Sequence, residues 1–211
     1  IEEDKAVKRI TDFLTAHGID ISETAVKDSD VKELKTMIAE AKDVTEMKQN
    51  RNSREYVLEA VRKKGKLLEF ASPEFQDDEE VVKTALTQDG EAMEFVSKRL
   101  RNNKELVLLA INGAPWTACY ASEALKADKE VIMASVKTYG QTLYYASERL
   151  RDDKEVVKTA IENKGLIIKY ASLRLRSDKE LAEIAIKQDK RAYLFLSKEL
   201  KQDEDIKKLI S

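Results

Sequence analysis

An aromatic, an aliphatic residue and a serine return together every 25 residues, and this fixed period constrains the fold of the chain more than any other feature. The triplet reads Phe70-Ala71-Ser72, Phe95-Val96-Ser97, Tyr120-Ala121-Ser122, Tyr145-Ala146-Ser147, Tyr170-Ala171-Ser172 and Phe195-Leu196-Ser197. A bulky apolar residue follows each serine by one helical turn, at Phe75, Leu100, Leu125, Leu150, Leu175 and Leu200. A small residue recurs at Ala60, Ala85, Ala110, Ser135, Ala160 and Ala185, and glycine at Gly65, Gly90, Gly140 and Gly165. One unit is too short to close a hydrophobic core, so successive units must stack on one another.

Within a unit the pattern predicts two short helices. The first opens on a capping signal such as Asp152-Asp153-Lys154-Glu155 or Ser177-Asp178-Lys179-Glu180, with Asn52/Glu55 and Asn102/Glu105 as weaker forms. Ala127 breaks this pattern, and Asp128 is positioned to replace it. Apolar residues then follow helical spacing, as at Val156, Val157, Ala160 and Ile161. Gly165 is expected to end the helix in the left-handed conformation that glycine tolerates. A second helix carries Ile168, Tyr170, Ala171 and Leu175. Helices of this length are marginal alone in water and must be held by packing.

The expected architecture is all-α: a helical-hairpin solenoid of six 25-residue repeats at 52–76, 77–101, 102–126, 127–151, 152–176 and 177–201. A C-terminal capping helix is expected at 202–211, where Lys207 stands in a slot that holds Val107 and Val157 in inner repeats. Residues 1–51 do not repeat and read as an N-terminal helical cap. It has a helix at about 3–16, a turn at Gly18 and a helix at 29–49 with Val31, Leu34, Ile38 and Ala41 on one face.

Composition narrows the function. The net charge is −2, with 37% charged residues, which predicts neither general nucleic-acid affinity nor attraction to an anionic membrane. No stretch approaches the ~18 apolar residues of a membrane span. Ile1-Glu2-Glu3-Asp4 is acidic, lacks the apolar run of a signal peptide and does not begin with Met, as expected of a piece of a longer protein. With one cysteine, Cys119, no internal disulfide is expected, which is compatible with a reducing compartment.

The unit standing almost complete in Leu150 to Leu175, L-R-x-D-K-E-V-V-x-x-A-I-x-x-x-G-x-x-x-x-Y-A-S-x-x-L, resembles a tandem helical-repeat family catalogued only as a domain of unknown function. Such repeats recur in large proteins of intracellular bacteria and protists, some delivered into host cells. The resemblance covers about residues 52–211 and implies the fold, with no activity attached. The chain departs from the pattern at Gly113-Ala114-Pro115-Trp116, where the glycine has moved, and at Lys190, where it is missing.

Catalysis finds little to stand on. The six serines in register would need a general base within hydrogen-bond reach, and the lone histidine, His17, lies outside the repeats. They read instead as small residues for close packing, each hydroxyl bonded to a carbonyl one turn back. The aromatic slot reads as core packing, with the tyrosine hydroxyls at its edge, in preference to a ladder for nucleobases. Asp77-Asp78-Glu79-Glu80 lacks the spacing of a calcium loop and reads as helix capping. No catalytic, metal or cofactor site is expected.

Specificity in a solenoid should lie where exposed positions differ between repeats. The face given by positions equivalent to 141, 144, 148 and 151 is polar in the first two repeats, at Lys66, Glu69, Glu91, Glu94 and Lys98. From the third repeat it turns apolar, at Trp116, Cys119, Tyr144, Leu166, Leu173 and Leu194. Trp and Tyr dominate binding hot spots, so this stripe is the expected protein-binding site. Its occupant would be a protein partner or a second copy of the chain. A membrane, a nucleic acid and a small-molecule substrate are all disfavoured. A second reading makes the chain a regulatory or delivery segment of a larger, effector-like protein whose catalytic domain lies elsewhere. A basic ladder at Arg101, Lys126, Arg151, Arg176 and Lys201 reads as charge complementing helix ends, its field cancelled by Asp128, Asp153, Asp178 and Asp203.

Overall fold

The computed structural model describes residues 28–211. The chain divides into two compact units, residues 1–49 and 50–211. In the first, Asp28–Gln49 form one helix, close to the expected span. Ile38 and Ala41, expected on one face of it, are exposed. The expected helix at 3–16, the turn at Gly18 and His17 lie outside the described residues.

The second unit is the solenoid. Its leading helices are Arg54–Lys63, Glu79–Gln88, Lys104–Gly113, Lys129–Val136, Lys154–Asn163 and Lys179–Gln188, followed by Glu204–Ile210. Each begins at an extended residue whose side chain accepts a free N–H of the first turn: Ser53, Asp78, Asn103, Asp128, Asp153, Asp178 and Asp203. The caps therefore sit one residue later than the expected capping boxes place them. The glutamate of the motif does not close a box either. Lys129 pairs with both Asp153 and Glu155 of the next repeat, each at 2.8 Å. Lys104, Lys154 and Lys179 do the same toward Asp128/Glu130, Asp178/Glu180 and Asp203/Asp205. The D-K-E motif is thus a cap and an inter-repeat clamp in one. It breaks at Glu79, which holds the lysine slot and accepts from Asn103.

The second half of each repeat is not one helix. It is a 3₁₀ segment, such as Gly65–Phe70, Gly90–Phe95 or Gly165–Tyr170, then two extended residues, then a short closing turn such as Pro73–Gln76 or Glu148–Arg151. The burial pattern explains this. Gly140, Leu143 and Ala146 face inward at a spacing of three, the period at which a 3₁₀ helix eclipses its side chains. The break falls at the serine. Ser122, Ser147, Ser172 and Ser197 accept the N–H of the leucine one turn later, so their hydroxyls begin a turn and do not bond backward as expected. Ser97 and Ser172 also donate to Asp77 and Asp152, and Ser122 donates to Asn102, in each case the first residue of the serine's own repeat. The serine N–H crosses to the preceding repeat: Ser122 to Arg101 O at 3.0 Å, Ser147 to Lys126 O at 3.0 Å, Ser172 to Arg151 O at 2.9 Å. The recurring serine therefore joins one repeat to the next through its backbone, while its side chain ties the closing turn.

Glycine also acts between repeats. The residue before it, Lys164, is extended (φ −151°), and Gly165 does not carry the left-handed backbone expected of it. A Cβ on Gly165 would stand 2.2 Å from the Ala185 carbonyl oxygen of the next leading helix, and one on Gly140 would stand 2.5 Å from that of Ala160. The slot is empty of side chain because a neighbouring backbone fills it. Pro115 holds the slot in the third repeat. There the next helix, Lys129–Val136, stops two residues short of its ten-residue counterparts, and Ser135 replaces alanine and donates to the Pro115 carbonyl at 2.7 Å. Behind these seams runs the core: Ile132, Leu143 and Leu150 pack on with Val156, Ile161 and Ile168, and these with Leu175, Leu181 and Ile186, as one continuous buried cluster. Ile206 of the last helix joins it, while Lys207 is half-buried and pairs with Glu204 at 2.9 Å.

Candidate functional site

The 3₁₀ segment lifts its second residue and the residue three later onto one outer face. In the first two repeats this face is closed by charge, Lys66 pairing with Glu91 across the seam. From the third repeat it changes character. All the exposed large hydrophobic residues of the solenoid, Trp116, Tyr144, Tyr145, Leu173 and Leu194, come from repeats three to six.

On this face repeats four and five form a groove of about 310 Å³ lined by Tyr139, Gln141, Tyr144, Tyr145, Lys164, Leu166, Ile167, Lys169 and Tyr170. Its tyrosines brace one another. Tyr144 meets Tyr145 edge-on and leans on Tyr170, in both cases with ring centroids 5.0 Å apart. Trp116 reaches the cluster from the third repeat, edge-on to Tyr139 at 6.3 Å. Lys169 Nζ stands over the Tyr170 ring at 4.7 Å.

Of the six residues anticipated from sequence, Tyr144 (56% exposed) and Leu166 line the groove, and Trp116 (43% exposed) joins it through Tyr139. Cys119 is half-buried, and burial pushes its thiol pKa up. Leu173 and Leu194 are exposed at 75% and 66% but are not among the groove's lining residues. The physical reason at Leu173 is the break at Ser172: position 173 belongs to the closing turn and does not continue the face that carries Leu166. Tyr139, Tyr145, Lys169 and Tyr170 were missed as binding residues. The aromatic slot had been assigned to the core, yet Tyr120 and Tyr170 are half-buried and Tyr145 is exposed. Tyr139 had a signal in the sequence, since Lys64, Asp89, Ala114, Lys164 and Asp189 hold its slot in the other repeats. Burial raises the phenol pKa of Tyr145 and, together with the nearby Glu94 carboxylate, that of Tyr120.

The basic ladder behaves differently from the expectation of cancelled charge. Asp128, Asp153, Asp178 and Asp203 are taken by the lysine clamps. The ladder cations turn back on their own repeats. Arg101 donates to Val96 O and Glu94 O at 2.8 and 2.6 Å and stacks 5.5 Å from the Tyr120 centroid, and Lys201 donates to Leu194 O at 2.8 Å. Lys126 pairs with Glu123 at 2.9 Å. In repeats four and five the same slot holds Arg151 and Arg176, whose buried Nε groups have no hydrogen-bond partner.

The acidic run at 77–80 is fully engaged. Asp78 caps a helix, Asp77 accepts from Ser97 and Arg99, Glu79 accepts from Asn103, and Glu80 holds Arg54 at 2.5 Å. No helix among the described residues is long and apolar enough to cross a membrane.

The family model described as domain of unknown function (DUF4116) matches five times, at residues 53–101, 78–126, 103–151, 128–176 and 153–201. Each match spans two 25-residue repeats and overlaps the next by one. No curated protein and no solved structure matches the chain.

Proposed function

The chain belongs to the family of the domain of unknown function (DUF4116), and from that premise we propose that it is a non-catalytic scaffold that binds a protein through the aromatic face of repeats three to five. One observation carries this reading. The positions that hold the repeats together are constant and already committed to partners inside the solenoid. The outer slots change from ion-paired in repeats one and two to exposed aromatic in repeats three and four. Exposed Trp and Tyr braced against one another supply large contact area at low entropic cost, which is what binding hot spots use. The recurring serines do not argue for chemistry: the hydroxyls of Ser122 and Ser172 are engaged in capping and in bonds to Asn102 and Asp152.

The test compares the intact chain with its Trp116→Ala/Tyr144→Ala variant in affinity capture from cells that naturally express this sequence, with sedimentation of each alone. The reading expects a protein, or a second copy of the chain, held by the first and lost by the second at unchanged helicity. Identical capture and sedimentation by both would refute it, and so would collapse of helicity in the variant, which would make these residues part of the core.

A further inference from the structure

We propose that the groove between repeats four and five receives an extended acidic peptide segment of the partner, one that places an apolar or aromatic side chain among Tyr144, Tyr145, Leu166 and Tyr170 and carboxylates against Lys164 and Lys169. This rests on the reading that the aromatic face binds protein and adds the chemistry of the occupant.

Charge is the first argument. The lining carries Lys164 and Lys169 and no carboxylate, in a chain where 40 acidic residues outnumber 38 basic ones. The clamp lysines Lys104, Lys129, Lys154 and Lys179 are each paired with carboxylates, whereas Lys169 lies over a tyrosine ring. The second argument is register. Arg101 spends its guanidinium on the carbonyls of residues 94 and 96. The corresponding stretches in the next repeats but one and two are 144–146 and 169–171, which contribute Tyr144, Tyr145, Lys169 and Tyr170 to the groove. The two repeats that build the groove are therefore the two whose ladder arginines keep a buried Nε–H without an acceptor. A buried donor left unmade is costly, and these two arginines lack the internal acceptors that Arg101 has. Size is the third argument. About 310 Å³ is at the small end of ligand pockets and suits one or two side chains of an extended segment rather than a folded surface.

A single-stranded nucleic acid would also find tyrosines and cations here. It is disfavoured because a backbone tracked along the stack needs a cation at every repeat, and Arg101, Lys126 and Lys201 are engaged within the fold.

The experiment selects short random peptides, displayed on phage, against the full chain. The enriched sequences are then titrated as fluorescent peptides against wild type, Tyr144→Ala and Lys169→Glu at low and moderate salt, with oligo(dT) in parallel. Both substitutions alter exposed or half-buried side chains, and circular dichroism checks the fold of each variant. Enriched peptides are expected to place Asp or Glu beside a Leu, Phe, Tyr or Trp. Lys169→Glu and Tyr144→Ala should each weaken binding by about tenfold or more, and moderate salt should weaken it further. Neutral or basic enriched peptides overturn the acidic occupant, and if they too are lost in Trp116→Ala/Tyr144→Ala the protein-binding face itself stands. Acidic peptides that bind Lys169→Glu as well as wild type overturn the site. Tighter binding of oligo(dT) than of any selected peptide replaces the peptide by a nucleic acid. Failure to enrich any peptide overturns the inference and leaves the broader reading to the capture experiment.

Discussion

Replacing Gly165 with alanine adds one methyl at the seam between repeats five and six. In the structure that carbon would lie 2.2 Å from the Ala185 carbonyl oxygen, 2.7 Å from Gln188 Cβ and 3.1 Å from the Ala185 carbonyl carbon. The oxygen belongs to helix backbone, so a side-chain rotation cannot relieve the overlap, and the leading helix of repeat six must move away from its neighbour. Overpacking of this kind costs about 1–3 kcal/mol, and a rigid backbone contact places the variant toward the upper end. For a domain of this size each kcal/mol lowers Tm by about 2–4 °C, so a loss of roughly 5–10 °C is expected. Gly113→Ala is the internal control. Gly113 is the last residue of Lys104–Gly113, its added methyl would meet nothing closer than 3.6 Å, and alanine gains helix propensity there. It should leave stability unchanged or raise it slightly, by up to about 1 kcal/mol. Thermal unfolding followed by circular dichroism measures both. Amide exchange adds position, because repeat proteins open locally and the loss of protection in Gly165→Ala should centre on repeats five and six. Equal melting of wild type and Gly165→Ala would refute the assignment of glycine to the seam. Destabilisation of similar size by Gly113→Ala would reduce it to a general effect of glycine.

Three further outcomes follow from the same contacts. Ser172→Ala removes a cap and a bond to Asp152, and should cost about 1–2 kcal/mol in urea unfolding, more than Thr159→Ala, whose hydroxyl merely returns to Glu155 O one turn back; equal costs would contradict the capping role of the serine. Acid should loosen the stack. Lys158 and Lys154 hold Glu180 down to about 2, Lys104 lowers Asp128, and Ser172 with Arg174 lowers Asp152. Groups whose folded pKa is depressed stabilise the fold above their ordinary values of 3.8–4.5 and lose that contribution as pH falls toward about 2, so Tm should drop across this window and be flat from pH 5 to 7. High salt should shrink the drop, since these pairs are exposed, and a Tm that does not fall with acid would contradict the clamps. Finally, burial raises the Cys119 thiol pKa, so iodoacetamide should alkylate it at pH 8 several-fold more slowly than the unfolded chain, and equal rates would contradict its half-buried position.

The repeat period, the all-α class and the apolar drift after the second repeat were legible in the sequence because they depend on spacing alone. What was not legible depends on stacking. Lys129 reaches Asp153 and Glu155 only because the next repeat lies alongside, so a reading confined to one helix assigned the glutamate to its own cap. The same limit gave Gly165 a turn conformation in place of a backbone contact with Ala185. The second helix was misjudged because Gly140, Leu143 and Ala146 fit a helical face of either period, and the break at serine decides between them. At the candidate site, Trp116, Tyr144 and Leu166 stood out as departures from repeat. Tyr145 and Tyr170 were hidden by their regularity, since an aromatic constant in every repeat looks like core.

The most direct test of the account is calorimetric titration of one acidic, aromatic-containing peptide selected on the full chain into wild type and into Trp116→Ala/Tyr144→Ala. Removal of two hot-spot aromatics should weaken Kd by about thirtyfold or more, equivalent to about 2 kcal/mol, with helicity unchanged and Tm nearly so. Equal affinity in the two proteins would contradict the claim that the departures from repeat at this face are what the scaffold uses to bind.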